Sequence, residues 1–185
     1  KKASFFYYTY VEEIQTIQST LKNKQPSNLE AEQALLGSIL VNNDIIDEIS
    51  TIINSSIFYD PAHIKIYEVI QSLNNKGMIA NPITLKNFFE KDNMLDDVGG
   101  TEYLVKLTRF SASAKQAVDY AKIIHEKFVK RELVKISENL TEESMDDSLE
   151  KSGDDIIQNT EKLLFDLAER GTFSQSFSQF GKALD

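Results

Sequence analysis

The three prolines of the chain, Pro26, Pro61 and Pro82, all read as helix starts, and none interrupts a periodic apolar segment. Proline lacks an N–H and clashes with the turn before it, so it breaks a helix interior but fits the first turn. Asp60-Pro61 and Asn81-Pro82 each set a short polar side chain before a proline, the order of an N-cap followed by the first helical position. Pro26 precedes Ser27, and Ser27 with Glu30 spells a capping box. Such punctuation predicts an all-α fold.

The apolar spacing agrees. Leu29, Leu35, Leu36, Ile39 and Leu40 mark one face of a first helix. Ile45, Ile46, Ile49, Ile52 and Ile53 mark a second, short one, for which a strand is the competing assignment. A third runs from Pro61 to Lys76 with Ile64, Tyr67, Ile70 and Leu73 inward and Gly77 as its stop. Ile83, Leu85, Phe88 and Phe89 define a fourth, and Gly99-Gly100 opens a fifth containing Tyr103, Leu104 and Leu107.

Two longer helices follow. One spans about Ser113 to Leu140, with Ala117, Ala121, Ile124 and Phe128 on one seam and Val129, Leu133, Ile136 and Leu140 on another. The next spans about Asp154 to Arg170, its acids Asp154 and Asp155 suited to the positive N-terminal end. The polar stretch Thr141–Ser152 connects them, so the pair reads as an antiparallel hairpin. Both ends of the chain repeat the helical step: Tyr10, Ile14, Ile17 and Leu21 before the first helix, and Phe173, Phe177, Phe180 and Leu184 after Gly171. The phenylalanine stripe is either a last core helix or one built to dock on a partner.

Composition narrows the function. Acidic residues outnumber basic ones 29 to 20, for a net charge of −9, and the lysines are scattered. Proteins that hold nucleic acid by its phosphates present a basic face, so any grip on DNA lies elsewhere. With no cysteine there is neither a disulfide framework nor a thiolate zinc site, and a reducing compartment is the natural setting. No apolar run approaches the roughly 20 residues of a membrane span.

Catalytic patterns are missing as well. The one Gly-Lys pair, Gly181-Lys182, has Ser176 and Ala183 where a phosphate-binding loop needs glycine and Ser or Thr. His63 and His125 sit in no metal-ligand spacing, and capping or packing suffices for both. The best calcium-loop register, from Asp92, places Met94 at a ligand position and Asp97 at the required glycine. Adjacent acids such as Asp96-Asp97 and Asp154-Asp155 diverge by about 100° on a helix and share no face.

Several segments nevertheless carry a resemblance. Pro26-Ser27-Asn28-Leu29-Glu30-Ala31-Glu32-Gln33 with Leu36-Gly37 resembles the opening of the N-terminal domain of DnaB-type replicative DNA helicases. The likeness continues, in order, through Phe58-Tyr59 with His63 and Ile66, Ile83-Thr84-Leu85, Gly99-Gly100 with Tyr103-Leu104, Tyr120-Ala121 with Ile123-Ile124, and Arg131-Glu132-Leu133. It covers about Gln25 to Arg170. Gly37 inside a good helix costs about 1 kcal/mol relative to alanine, which a close helix crossing would explain.

The resemblance implies a compact helical bundle followed by a long antiparallel hairpin and the start of a linker helix. Members of that family are homohexameric, ATP-driven helicases; their N-terminal domains pair through the hairpin, and three pairs form a collar that receives primase and, in some systems, a loader protein. By this reading 1–24 lies outside the resemblance, 25–112 is the globular subdomain, 113–170 the dimerisation hairpin, and 171–185 the start of the linker helix, with Phe173, Phe177, Phe180 and Leu184 as its docking stripe. Lys127, Lys130, Arg131 and Glu132 are candidate contacts to a second chain, although exposed ion pairs contribute only about 0–1 kcal/mol each. A motor domain using ATP and Mg would follow Asp185. The chain itself is expected to hold no catalytic, cofactor or metal site and to work in the cytoplasm without membrane contact, meeting DNA only as part of the full-length protein. The competing reading is a free-standing adaptor that mimics the collar and regulates the helicase.

Overall fold

The computed structural model describes residues 25–146 and 152–171, which hold seven α-helices and no strand. The predicted pattern from Tyr10 to Leu21 and the stripe from Phe173 to Leu184 lie outside the described residues. Helix α1 is Leu29–Val41, α2 Ile45–Ile49, α3 Pro61–Asn75, α4 Pro82–Lys91, α5 Gly100–Thr108, α6 Ala114–Met145 and α7 Gly153–Gly171, with 3-10 turns at Ser55–Ile57 and Asp96–Val98.

Most caps follow the sequence rules. Asp60 accepts from the N–H of Ala62 ahead of Pro61, Asn81 and Thr84 close a capping box ahead of Pro82, and Ser113 and Gln116 close another at the start of α6. Gly77 ends α3 at φ +67°, its N–H bonded to Asn74 and that of Met78 to Leu73, the paired bonds of a Schellman stop. The first helix departs from expectation. Its cap is Asn28, whose Oδ1 accepts from Ala31 N–H at 3.0 Å, so the box read at Ser27 and Glu30 does not form and Pro26 stands outside the helix. Ile83 is 72% exposed because it lies opposite the Leu85 and Phe89 face of α4. Helix α6 continues to Met145, into the segment read as a polar connection.

The core is built from Leu35, Leu36 and Ile39 of α1, the isoleucines of α2, Ile66, Tyr67 and Ile70 of α3, Leu85 and Phe89 of α4, Leu104 and Leu107 of α5, and Ala117, Ala121 and Ile124 of α6. Helix α1 runs through its middle, touching α5 on one side and α6 on the other. Gly37 makes this possible, since a Cβ there would fall on the carbonyl oxygen of Leu107 and 2.9 Å from its carbonyl carbon. Beside it, Ser38 accepts from Ala112 N–H at 2.9 Å and ties the α5–α6 connection to α1. Asn43 pairs with both backbone groups of Ala80, at 2.6 and 2.9 Å, and so joins the end of α1 to the α3–α4 loop.

Helix α6 is buried against this head only over its first half. Arg131 is its last buried side chain. Beyond it α6 packs on α7, and the two form a hairpin that leaves the head.

Candidate interaction surface and the polar network behind it

The head holds a buried polar network. Glu32 is 1% exposed in the middle of an apolar helix face, a position that requires complete pairing. Its Oε1 accepts from the N–H of Tyr59 at 2.8 Å, and its Oε2 from the N–H of Asp60 at 3.3 Å and Nδ1 of His63 at 2.6 Å. Nε2 of His63 lies 2.6 Å from the hydroxyl of Tyr103, which also accepts from Gln33 at 3.2 Å. A neutral imidazole in this setting donates from Nδ1 to Glu32 and accepts at Nε2 from the phenol. The rings of His63 and Tyr103 are parallel within 7°. Four separate segments are thereby tied together: α1, the turn before α3, α3 itself and α5.

A carboxylate, an imidazole and a hydroxyl in line suggest a hydrolytic relay, but the terminal group is wrong for one. Burial pushes the Tyr103 phenol pKa up; Gln33 opposes the rise, while Asp60 and Glu32 add to it. A phenol held in its protonated form is a hydrogen-bond donor rather than a nucleophile. Among the described residues no three His, Asp or Glu side chains converge as metal ligands. An open groove between α1 and α6 is lined by Ala31, Ala34, Phe110, Tyr120 and Ile123 among others.

Arg131 corrects an expectation. Offered by the sequence as a contact to another chain, it is only 6% exposed and bonds within its own: one Nη donates to Pro26 O at 2.7 Å, the other to Ile57 O at 2.6 Å. Its guanidinium lies over the rings of Tyr59 and Phe128, 5.4 and 5.9 Å from their centroids. Burial lowers its pKa, while Glu32, Glu132 and Tyr59 offset the loss. The other three candidates do not converge with it. Lys130 pairs with Glu126 at 2.6 Å and Glu132 with Lys135 at 2.6 Å, along the same helix, and Lys127 is half-buried.

The hairpin also exposes large apolar side chains among its polar ones. On α7, Ile156, Thr160, Leu163 and Leu167 are buried or half-buried, whereas Ile157 and Leu164 are 56% and 42% exposed. On α6, Leu133 and Leu140 are 44% and 37% exposed. Among the exposed apolar side chains of each helix is a pair seven positions apart, one heptad repeat. Phe165 adds to the apolar surface at 58% exposure. The sequence shows Ile156, Ile157, Leu163, Leu164 and Leu167 as the apolar residues of α7, and the structure divides them into an inner row and an outer pair, Ile157 and Leu164. No helix among the described residues is long and apolar enough to cross a membrane.

Comparison with known proteins places this geometry. The family model for the DnaB-like helicase N-terminal domain matches residues 24–126. A replicative DNA helicase DnaB from Rickettsia felis is 39% identical over 156 residues, covering 84% of this chain and 32% of that relative; the chain spans about a third of the length of such relatives. The crystal structure of the N-terminal domain of DnaB helicase from Mycobacterium tuberculosis superposes with a TM-score of 0.70 at 27% identity, over 77% of this chain and 99% of that one. A structure of a DnaB-like replicative helicase and its interactions with primase shares the fold, with a TM-score of 0.62 at 24% identity over 85% of this chain and 34% of that one.

Proposed function

The chain belongs to the DnaB-like helicase N-terminal domain family, and on that premise we propose that it is the collar domain of a hexameric replicative helicase. Residues 25–112 form its head, 113–170 the hairpin through which two copies pair, and 171–185 the start of a linker to a motor domain that supplies ATP hydrolysis with Mg. Three such pairs make the collar. DNA is engaged by the full-length protein, since a net charge of −9 gives this part little phosphate grip. The collar docks primase, the partner named for one protein of the same fold, and in loader-dependent systems a loader. The whole acts at the replication fork in the cytoplasm.

One observation carries this reading: the hairpin has two apolar seams, and one chain covers only one of them. Leu133, Leu140, Ile157 and Leu164 lie on the projecting part of the hairpin, where the head does not reach. A second hairpin lying against them would bury all four from each chain. Each half-exposed leucine or isoleucine contributes about 1 kcal/mol on burial, so eight supply on the order of 8 kcal/mol to set against the lost freedom of two chains. In this reading the pairing surface is centred on Ile157 and Leu164, beside the candidate contacts Lys127, Lys130 and Glu132.

Sedimentation equilibrium on the 185-residue chain tests the proposal. A dimer that forms across the micromolar range, and that binds the helicase-interacting domain of a bacterial primase, is the expected result. A strict monomer at high micromolar concentration overturns it.

A further inference from the structure

Helix α6 changes character at one residue. Before Arg131 it is held along its length, with Ala117, Ala121, Ile124 and His125 buried. After Arg131 none of its side chains is buried. Fourteen further residues, Glu132 to Met145, project from that point, a length of about 21 Å. A tilt of about 10° at the base would displace the tip by about 4 Å over such a length.

The group at this base is unusual. The carbonyls of Pro26 and Ile57 belong to irregular backbone, just before α1 and at the end of the 3-10 turn, so neither is satisfied by a helix. Arg131 bonds both at once, from the two arms of one rigid fork, while its central carbon lies over the rings of Tyr59 and Phe128. The backbone N–H of Tyr59 is in turn fixed by Glu32. A planar group tied to two backbone segments and flanked by two rings is fixed in place, and it anchors α6 to the head at the point where its buried half ends.

We propose that Arg131 is a positioning residue that sets the direction in which the hairpin leaves the head. The inference concerns a single chain and holds whether or not hairpins pair. Lysine cannot substitute, because one ammonium on a flexible stem neither spans both carbonyls in a fixed plane nor stacks as a guanidinium does. The consequence of Arg131→Lys is therefore angular: the head and the hairpin stay folded, and the angle between them spreads.

The absence of cysteine makes the test clean, since Glu68→Cys on α3 and Asn139→Cys on α6 create the two spin-label sites. Both positions are exposed, and dilution with unlabelled chain removes distances between molecules. Pulsed electron–electron resonance should give one narrow label-to-label distance in the parent chain and a distribution at least twice as wide with Arg131→Lys. Leu85→Ala, which opens the head core away from the hairpin, should lower the melting temperature without broadening it. An unchanged distribution in Arg131→Lys, or equal broadening in Leu85→Ala, overturns the proposal. Nitrogen-labelled arginine gives an independent reading on the unsubstituted chain. Hindered rotation of the Arg131 guanidinium, seen as separate Nη–H resonances, is expected; a single averaged resonance counts against the clamp even if Arg131→Lys fails to fold.

Discussion

Oε2 of Glu32 lies 2.6 Å from Nδ1 of His63, with both side chains within 1% of complete burial and 31 positions apart in the chain. The carboxylate is already committed to the N–H groups of Tyr59 and Asp60, so His63 completes a shell rather than merely finding a neighbour. This pair holds α1 against α3 in the middle of an apolar interface.

Removing one side of such a pair costs more than the pair contributes. Glu32→Ala strands the imidazole and two backbone donors, and should destabilise the fold by about 3–5 kcal/mol. Glu32→Gln keeps acceptor and shape, and should cost about 1–3 kcal/mol. Urea titration followed by circular dichroism reads both; equal midpoints for the two variants would show that acceptor and shape retain nothing without the carboxylate charge.

Gly37→Ala tests the closest helix crossing. Helix propensity alone favours alanine by about 1 kcal/mol. The added methyl would meet the Leu107 backbone, which moves only if α5 moves. Overpacking should win, with a net loss of about 1–3 kcal/mol. A stabilised Gly37→Ala chain would mean that α1 and α5 are not this close.

Tyr67 sets an alkaline limit. Desolvation in the core raises its phenol from the ordinary 10.0 to about 12, with Gln71 opposing. A group whose folded pKa is raised stabilises fully below its unfolded pKa, and that contribution disappears as pH climbs through the folded value. Its share, about 3 kcal/mol, should therefore be lost between pH 10 and about 12. Tyr67→Phe should remove that part of the alkaline decline, and at neutral pH should change stability by no more than about 1 kcal/mol, because the hydroxyl bond to Ile53 O is long at 3.4 Å. Thermal melts at pH 7 and pH 11 measure both effects.

The helices were legible because their signals are local. Asp60 and Asn81 cap where their side chains and the following prolines predict, and the isoleucine run at 45–49 is helical rather than a strand. Asn28 took the cap from Ser27 because both can cap, and only the backbone decides which residue is last outside the helix. The network was illegible for the opposite reason. Glu32, His63, Tyr103 and Arg131 each appeared in the segments that carried the family resemblance, yet nothing in a linear pattern brings positions 32, 63, 103 and 131 together. Arg131 misled most, since a basic residue beside Glu132 on a long helix normally faces solvent. Its burial depends on two carbonyls from distant irregular backbone, a partner type that has no sequence signature.

The central claim is that the exposed seam of the hairpin joins two chains, and one sedimentation experiment tests it most directly. Ile157→Glu with Leu164→Glu places two charges on the seam while leaving the inner face of α7 intact. The parent chain should sediment as a dimer at high micromolar concentration and the double variant as a monomer, with equal helical content by circular dichroism. Equal self-association in parent and variant would contradict the account.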